Sequence, residues 1–535
     1  MSFFRRKYIF WGILSVIICC ALFLPLLFVL DGFGKGNNDN VRHIQEFLLS
    51  DLIFTTGRMI LGVGLVALIL GVPTAYLVAN FQFPLRNFLA KANILPIAIP
   101  TYIMAFVYAS IFSVSGTFYK VAELFISRET LYALDIDVLK EGWLMLFLGF
   151  ALYPYVYSTS LVSFSIKNKS LDEAAASLGV KPWKRFWRVS LPIILPAVFS
   201  GVGLVAMEVL NDYGAMSYFN VNTITAGIFQ AKQMDFTSSV YLSALAFVIV
   251  FGFFTFFYLI KSYRKVNLIQ NTPNFKLSTI KGSNGILTSI IVFLPFFLGF
   301  VLPIIELLYL ASDRISVIFT SAFINIVLDS IQLALIPAVI IVLFSLVLLY
   351  NQYLNKGIVS RLIAAFANIG YAIPGAIIAI AVMAFVIFFD NAEKTTYHYL
   401  IDSLLLLIFA FVIRFMAVGY NTIESAFNQI STSLPDAARS TGRNSFYTFG
   451  KVYIPLLKGT LLTTLAIVTV DILKELPITL LLQRFNFNTL ATVAYEKAKV
   501  SESVKDAAPY ALLLILVGTL SVFFLTANSN KKEKK

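Results

Sequence analysis

The sequence predicts an all-α polytopic transmembrane protein of about twelve spans, arranged as two parallel six-helix halves. Three observations carry that prediction. Of the 535 residues, 59% are hydrophobic and only 13% charged, whereas soluble domains carry roughly 25% charged residues; mean hydropathy is +0.84. Apolar stretches of about 20 residues, the length that crosses a bilayer as a helix, recur along the whole chain. Finally, one polar loop is written twice. SLDEAAASLGVKPWKRFWRVSLP (Ser170–Pro192) and SLPDAARSTGRNSFYTFGKVYIP (Ser433–Pro455) align without gaps, Glu173 falling on Asp436.

The first expected span, 8–30, follows Arg5, Arg6 and Lys7. Its apolar run is long for a signal peptide, and no small-x-small cleavage site precedes Asp31, so it reads as a retained helix. Cys19 and Cys20 are adjacent inside it; they make no disulfide framework, have no metal-ligand spacing, and read as apolar filler. Spans 53–79, 92–113, 142–164, 193–212 and 239–260 complete the first half. A basic, polar connector, Lys261–Gly285, leads to spans 286–310, 323–350, 362–389, 399–421, 456–473 and 508–527. The third and ninth spans each hold an Ile-Pro, in LPIAIPTYIMA (Leu95–Ala105) and YAIPGAIIA (Tyr371–Ala379). Proline there removes a donor and bends or breaks a helix. The segments Ser115–Glu141 and Leu476–Ala507 are long enough to carry short helices outside the membrane. The expected division is 1–52, an N-terminal helix and outer loop; 53–260, the first repeat; 261–322, the connector and seventh span; 323–528, the second repeat; and 529–535, a basic tail.

A net charge of +13 is compatible with nucleic-acid binding, but its placement argues for a membrane instead. With the N-terminus inside, roughly two-thirds of the 41 Lys and Arg fall on inner segments. They include Lys167, Lys169, Lys181, Lys184, Arg185 and Arg188 in the first repeated loop, and Lys531, Lys532, Lys534 and Lys535 at the end. This bias puts both termini and both loops in the cytoplasm of a cell whose inner membrane the chain spans.

Local chemistry shapes the repeated loop. Ser170-x-x-Glu173 and Ser433-x-x-Asp436 fit a capping box or its variant. Ala174-Ala175 and Ala437-Ala438 favour helix, and Gly179 and Gly442 end it. Pro182 starts a second short helix in the first copy. Shortly after each loop, ionisable residues stand inside or beside an apolar span: Glu208 and Asp212 in the first half, and Asp471, Lys474 and Glu475 in the second. Glu208 matches Asp471 and Asp212 matches Glu475 at the same offset as the loops. Charges at such depth are expensive and usually face a cavity or pathway; the alternative is a helix–helix salt bridge with Lys474 or Arg414. His43 and His398, the two histidines, fall on the outer side and form no ligand cluster, so no stable metal site is expected.

The pattern E-A-A-x-x-x-G-x9-[IV]-x-[IL]-P, carried by Glu173, Ala174, Ala175, Gly179, Val189, Leu191 and Pro192, resembles the EAA loop of permeases in binding-protein-dependent ABC importers. The second copy departs from it only at Asp436, with Ala437, Ala438, Gly442, Val452, Ile454 and Pro455 matching. The runs EVLNDYGAMSYF (Glu208–Phe219) and DILKELPITLLLQRFNFNTLA (Asp471–Ala491) are similar to the fused ferric-iron permeases; thiamine and phosphonate permeases share parts of them. The resemblance implies a type I (MetI-like) importer permease. Each loop is then a coupling helix docking on one of two cytoplasmic ABC ATPase copies, and an extracytoplasmic binding protein delivers the cargo. The chain would bind no cofactor, ATP and Mg being used by the partner subunits. Consistently, no G-x4-G-K-[ST] phosphate loop occurs in the sequence, so the chain is not expected to be an enzyme. A twelve-span secondary transporter, or a scaffold without transport, are the alternative readings.

Overall fold

The computed structural model describes residues 2–35, 38–132, 137–166, 175, 177–263, 277–390, 404–431, 433–484, 486–500 and 503–533. Among them, ten helices are long and apolar enough to cross a membrane. They cover the expected spans except the sixth and the ninth. The sixth is the 28-residue helix Phe236–Tyr263. The ninth is not continuous: Ile358–Ile369 gives way to a 3-10 turn, Gly370–Ala372, and Pro374 precedes a new helix, Gly375–Asp390. The third span breaks in the same way, into Arg86–Ala92, a 3-10 turn Leu95–Ala98, and Thr101–Phe112 after Pro100. Pro96, Pro100 and Pro374 cannot donate to a helical ladder, so the chain restarts after each Ile-Pro. The outer segments carry the expected short helices, Thr117–Ala122, Arg128–Tyr132, Pro477–Leu482 and Leu490–Lys499.

The fifth and eleventh spans begin earlier than hydropathy predicts, through π turns at Phe186–Ser190 and Phe449–Tyr453. Each π turn is followed by one residue and then a proline, Leu191-Pro192 or Ile454-Pro455. A wider turn moves the preceding carbonyl out of the ring's way, so the helix runs on where an α turn would clash.

The halves exchange their leading helices. The first, Ser2–Phe28, packs on the second half: Trp11 meets Tyr350 edge-on at 4.8 Å and Phe23 meets Phe366 at 4.5 Å. The seventh span packs on the first half, where Asn93 Nδ2 donates to the Val292 carbonyl at 3.1 Å and Tyr108 Oη to that of Leu298 at 2.6 Å. Within each half small residues bring backbones together. A Cβ on Gly71 would lie 2.9 Å from Tyr157 N and 3.0 Å from Tyr153 O. On the opposite side of the same helix Leu61, Leu65 and Ile69, four residues apart, are exposed as a lipid-facing row.

Contacts also sort the connecting segments by face. Trp11 Nε1 donates to Ser445 Oγ of the second repeated loop at 3.4 Å. Beyond the other end of that first helix Phe33 meets Tyr241, at the start of helix Phe236–Tyr263. That helix returns to the connector, whose Ser278–Thr279 pairs in parallel with Phe81–Gln82. Just before that strand, Tyr76 meets Phe186 of the first loop at 4.9 Å. Both repeated loops therefore lie on one face. On the other face Arg314 Nε meets Asp506 Oδ1 at 2.7 Å, Lys505 meets Asp313 at 3.2 Å, and Asn40 Nδ2 donates to Asp235 Oδ2 at 2.7 Å. Burial raises the Asp235 carboxyl, but hydrogen bonds from Ser238, Asn40 and Thr237 outweigh it and hold the group below the ordinary carboxylate range.

Because Gly71 has no room for a Cβ, Gly71→Val is expected to destabilise the chain by about 1–3 kcal/mol, read as a lower unfolding temperature in detergent. Gly57→Ala, with nothing within 4 Å of the new methyl, is the control; it is expected to be neutral or stabilising by up to about 1 kcal/mol.

Candidate functional site

The repeated loops fold alike where both are described. Gly179 (φ 76°) and Gly442 (φ 79°) take the left-handed conformation. The amide of the next residue reaches back five positions: Val180 N to Ala175 O at 3.0 Å, and Arg443 N to Ala438 O at 3.3 Å. This is the Schellman ending of a helix, formed twice. Glu173 and Ala174 lie outside the described residues. In the second copy the helix is Ser433–Ser440, with Asp436, Ala437 and Gly442 exposed and Ala438 half-buried. Ser433 is already the first helical residue and its hydroxyl pairs with that of Ser431 at 2.7 Å, while Asp436 accepts from Tyr353 Oη at 3.3 Å. Exposed apolar side chains flank the two turns: Leu178 and Trp187 in the first loop, and Leu434 and Phe446 in the second.

Each loop is joined by one helix to the five ionisable residues singled out from sequence. Leu191–Asn211 ends at Asp212, and Ile454–Leu473 ends at Lys474. Glu208, Asp212, Asp471, Lys474 and Glu475 all line one cavity between the halves, with about 140 Å³ of open volume. Tyr155, near the middle of helix Glu141–Ile166, donates to Glu208 Oε1 at 3.0 Å. Asp212 Oδ1 accepts from Ala215 N at 2.9 Å, capping the short helix Gly214–Tyr218, and the Thr101 side chain hydrogen-bonds the same carboxylate. Glu475 does the equivalent work in the second half, accepting from the Ile478 amide ahead of helix Pro477–Leu482. Its Oε1 is buried with no hydrogen-bond partner among the described residues, and a Cβ on Gly375 would lie 2.5 Å from it.

Two cations share the cavity with four carboxylates. Lys474 lies within coulombic reach of Asp471 and Glu208, and Arg414 within reach of Glu475 and Asp471. Arg414 also donates to the Ile373 carbonyl, at the break in the ninth span. Among the described residues no three His, Cys, Asp or Glu side chains converge closely enough to hold a metal ion. His43 is an exposed residue against Phe47, and His398 lies outside the described residues. Cys19 and Cys20 are free thiols.

Sequence reading missed Asn211, whose Oδ1 accepts from the Gly375 amide of the other half at 2.7 Å. Its signal was present: Asn211 aligns with Lys474 at the offset that pairs the acids. A second duplicated run, Phe-Asn-x-Asn-Thr at 219–223 and 485–489, was also unremarked. Asn220 and Asn486 both adopt positive φ, and Thr223 and Thr489 both cap the next helix. The first amide of each capped helix donates to a hydroxyl on an early span: Ile224 N to Thr56, and Leu490 N to Ser330, each at 2.9 Å.

Comparison with known proteins follows the same duplication. The family described as the inner membrane component of binding-protein-dependent transport systems matches residues 47–265 and again residues 352–534. The chain is 26% identical over 537 residues to an Fe(3+)-transport system permease protein of Haemophilus influenzae, covering 97% of this chain and 98% of that protein. It is 26% identical over 211 residues to a probable sulfate transport system permease protein of Nephroselmis olivacea, covering 38% of this chain and 70% of the relative. With the sulfate transport system permease protein of Escherichia coli it is 31% identical over 156 residues, 29% of this chain and 53% of the relative.

The left-handed turns make a local prediction. Gly442→Ala puts a Cβ where the backbone disfavours it by about 1–2 kcal/mol. Amide exchange across 433–440 is expected to quicken by a factor of roughly 5–30, while exchange in the helix Leu404–Phe427 stays unchanged.

Proposed function

The chain belongs to the family of inner membrane components of binding-protein-dependent transport systems, so it is a membrane-spanning permease of the ABC importer class, and we propose that its cargo is ferric iron. One observation carries the choice of cargo: the cavity between the halves has four carboxylates against two cations. Carboxylate oxygen suits hard cations, and the unpartnered Glu475 Oε1 is an acceptor awaiting one. A sulfate dianion would meet the opposite field. The Fe(3+)-transport permease that parallels nearly the whole chain supports the same cargo. The carboxylates are spread around the wall rather than gathered on one point, which fits a path that passes an ion on; a separate extracytoplasmic binding protein supplies the affinity.

In this reading the chain hydrolyses no ATP. Two copies of a cytoplasmic ATPase, using ATP and Mg, dock on the loops around Glu173–Gly179 and Asp436–Gly442, and both loops and both termini face the cytoplasm of an inner membrane. The exposed Ala437 and Leu434 offer a surface to which a partner's backbone can come close. Each loop continues into a single helix that ends at the cavity, so closure of the ATPases moves the loops and shifts the acid-bearing ends with them. Access to the cavity then alternates as the halves rock.

Uptake by the chain reconstituted with its ATPase and binding protein tests this reading. ATP-dependent accumulation of Fe3+ is expected, with neither sulfate nor thiamine carried; accumulation of either with iron ignored would overturn the cargo. Gly375→Ala, which crowds Glu475 Oε1 and Asn211 Oδ1, is expected to lower iron uptake about tenfold, the equivalent of ~1.4 kcal/mol. Replacing Gly179 and Gly442 with valine is expected to leave insertion intact and cut ATP-driven uptake by a similar factor, with ATP hydrolysis no longer tied to transport.

A further inference from the structure

On the face opposite the repeated loops, the two halves hold each other by a reciprocal pair of lysines. Lys232 sits in the last turn of helix Ile224–Met234 of the first half, and its Nζ donates to the Leu481 carbonyl of the second half at 2.8 Å. Lys499 ends helix Leu490–Lys499 of the second half, and its Nζ donates to the Ser217 carbonyl and, at 3.0 Å, to Asn220 Oδ1 of the first half. Ser217 and Leu481 lie in the last turns of the short helices that the cavity carboxylates cap, Gly214–Tyr218 and Pro477–Leu482. Carbonyls there lack helical N–H partners and carry the negative end of the helix dipole, so an ammonium suits them.

The surroundings repeat the crossing. Helix Leu490–Lys499 packs on Thr101–Phe112 of the first half, and helix Ile224–Met234 packs on Gly375–Asp390 of the second. Tyr102, in the cavity wall, meets Tyr495 of the second half at 6.4 Å. The Tyr495 hydroxyl hydrogen-bonds with Ser217 and Tyr213, and Tyr213 stacks on Phe229. Each half thus lays one short helix over the broken span of the other, and the lysines tie the free end of each helix down.

We propose that Lys232 and Lys499 are positioning residues of the transport cycle, a two-point clasp that keeps the cavity shut on the face opposite the loops until the halves separate. The proposal rests on the reading of the cavity as a transport path. It does not need the identity of the cargo or the docking of an ATPase, so its test is made on the permease alone.

The test uses the full chain with Cys19→Ala, Cys20→Ala and a reporter, Ile97→Cys, in the cavity wall. Labelling by a membrane-impermeant thiol reagent is followed in right-side-out vesicles. With Lys232→Met and Lys499→Met together, labelling is expected to be at least fivefold faster than in the parent. Either change alone should give a smaller increase, and Lys→Arg at both sites should keep the parental rate. Asn220→Gly tolerates the positive φ and removes one acceptor of Lys499 while leaving both lysines in place; it is expected to speed labelling in the same direction. Lys497→Met, on the same helix but outside the clasp, should change nothing. Parental rates in Asn220→Gly and in whichever lysine variants insert would overturn the clasp, as would an equal acceleration by Lys497→Met. Faster labelling of the clasp variants in a chain that carries no iron would leave the clasp standing and remove only the cargo.

Discussion

The structure turns on a constraint of the bilayer: wherever a spanning helix stops short, its freed backbone groups must find partners inside the protein. The chain stops four spans this way, at Pro100, Asp212, Pro374 and Lys474. Side chains complete three of these breaks. Asp212 and Glu475 cap the short helices that follow, Arg414 reaches the Ile373 carbonyl, and Asn211 crosses between halves to the Gly375 amide. The polar groups that make a membrane cavity habitable are therefore the ones that hold the broken helices together. Asp212 and Glu475 each have a structural task through one oxygen, and the Asp212 Oδ2 and Glu475 Oε1 left over are where a ligand can act.

The same breaks place the cavity at the end of a lever. Helix Leu191–Asn211, 21 residues long, spans about 30 Å, with a repeated loop at one end and Asp212 at the other. Ile454–Leu473 repeats the arrangement in the second half. The π turns at Phe186–Ser190 and Phe449–Tyr453 join each loop directly to its helix ahead of Pro192 and Pro455, so one uninterrupted run of helical turns connects each loop to the cavity.

Much of this was legible in the sequence because it is local or repeated. Hydropathy located the ten helices long enough to cross a membrane among the described residues, and Gly179 and Gly442 marked two helix ends, which take the Schellman form. The offset between copies paired Glu208 with Asp471 and Asp212 with Glu475, and all four line the same cavity. What hydropathy cannot register is continuity: the ninth segment is apolar throughout yet divides at Gly370–Pro374. Nor does it register which helix meets which. The exchange of Trp11 and Val292 between halves, and the crossing of Lys232 and Lys499, are contacts between residues hundreds of positions apart. Asn211 was missed for a different reason. It carries no charge, and only its alignment with Lys474 marked it.

The central claim is that the two loops move with the state of an external ATPase. The most direct measurement is the distance between spin labels at Leu178→Cys and Leu434→Cys, both exposed beside their turns, in a chain lacking Cys19 and Cys20. The assembled complex is compared without nucleotide and with ATP bound. A shift of the whole distance distribution by several ångströms on ATP binding is the expected result; superimposable distributions in the two states would contradict the mechanism.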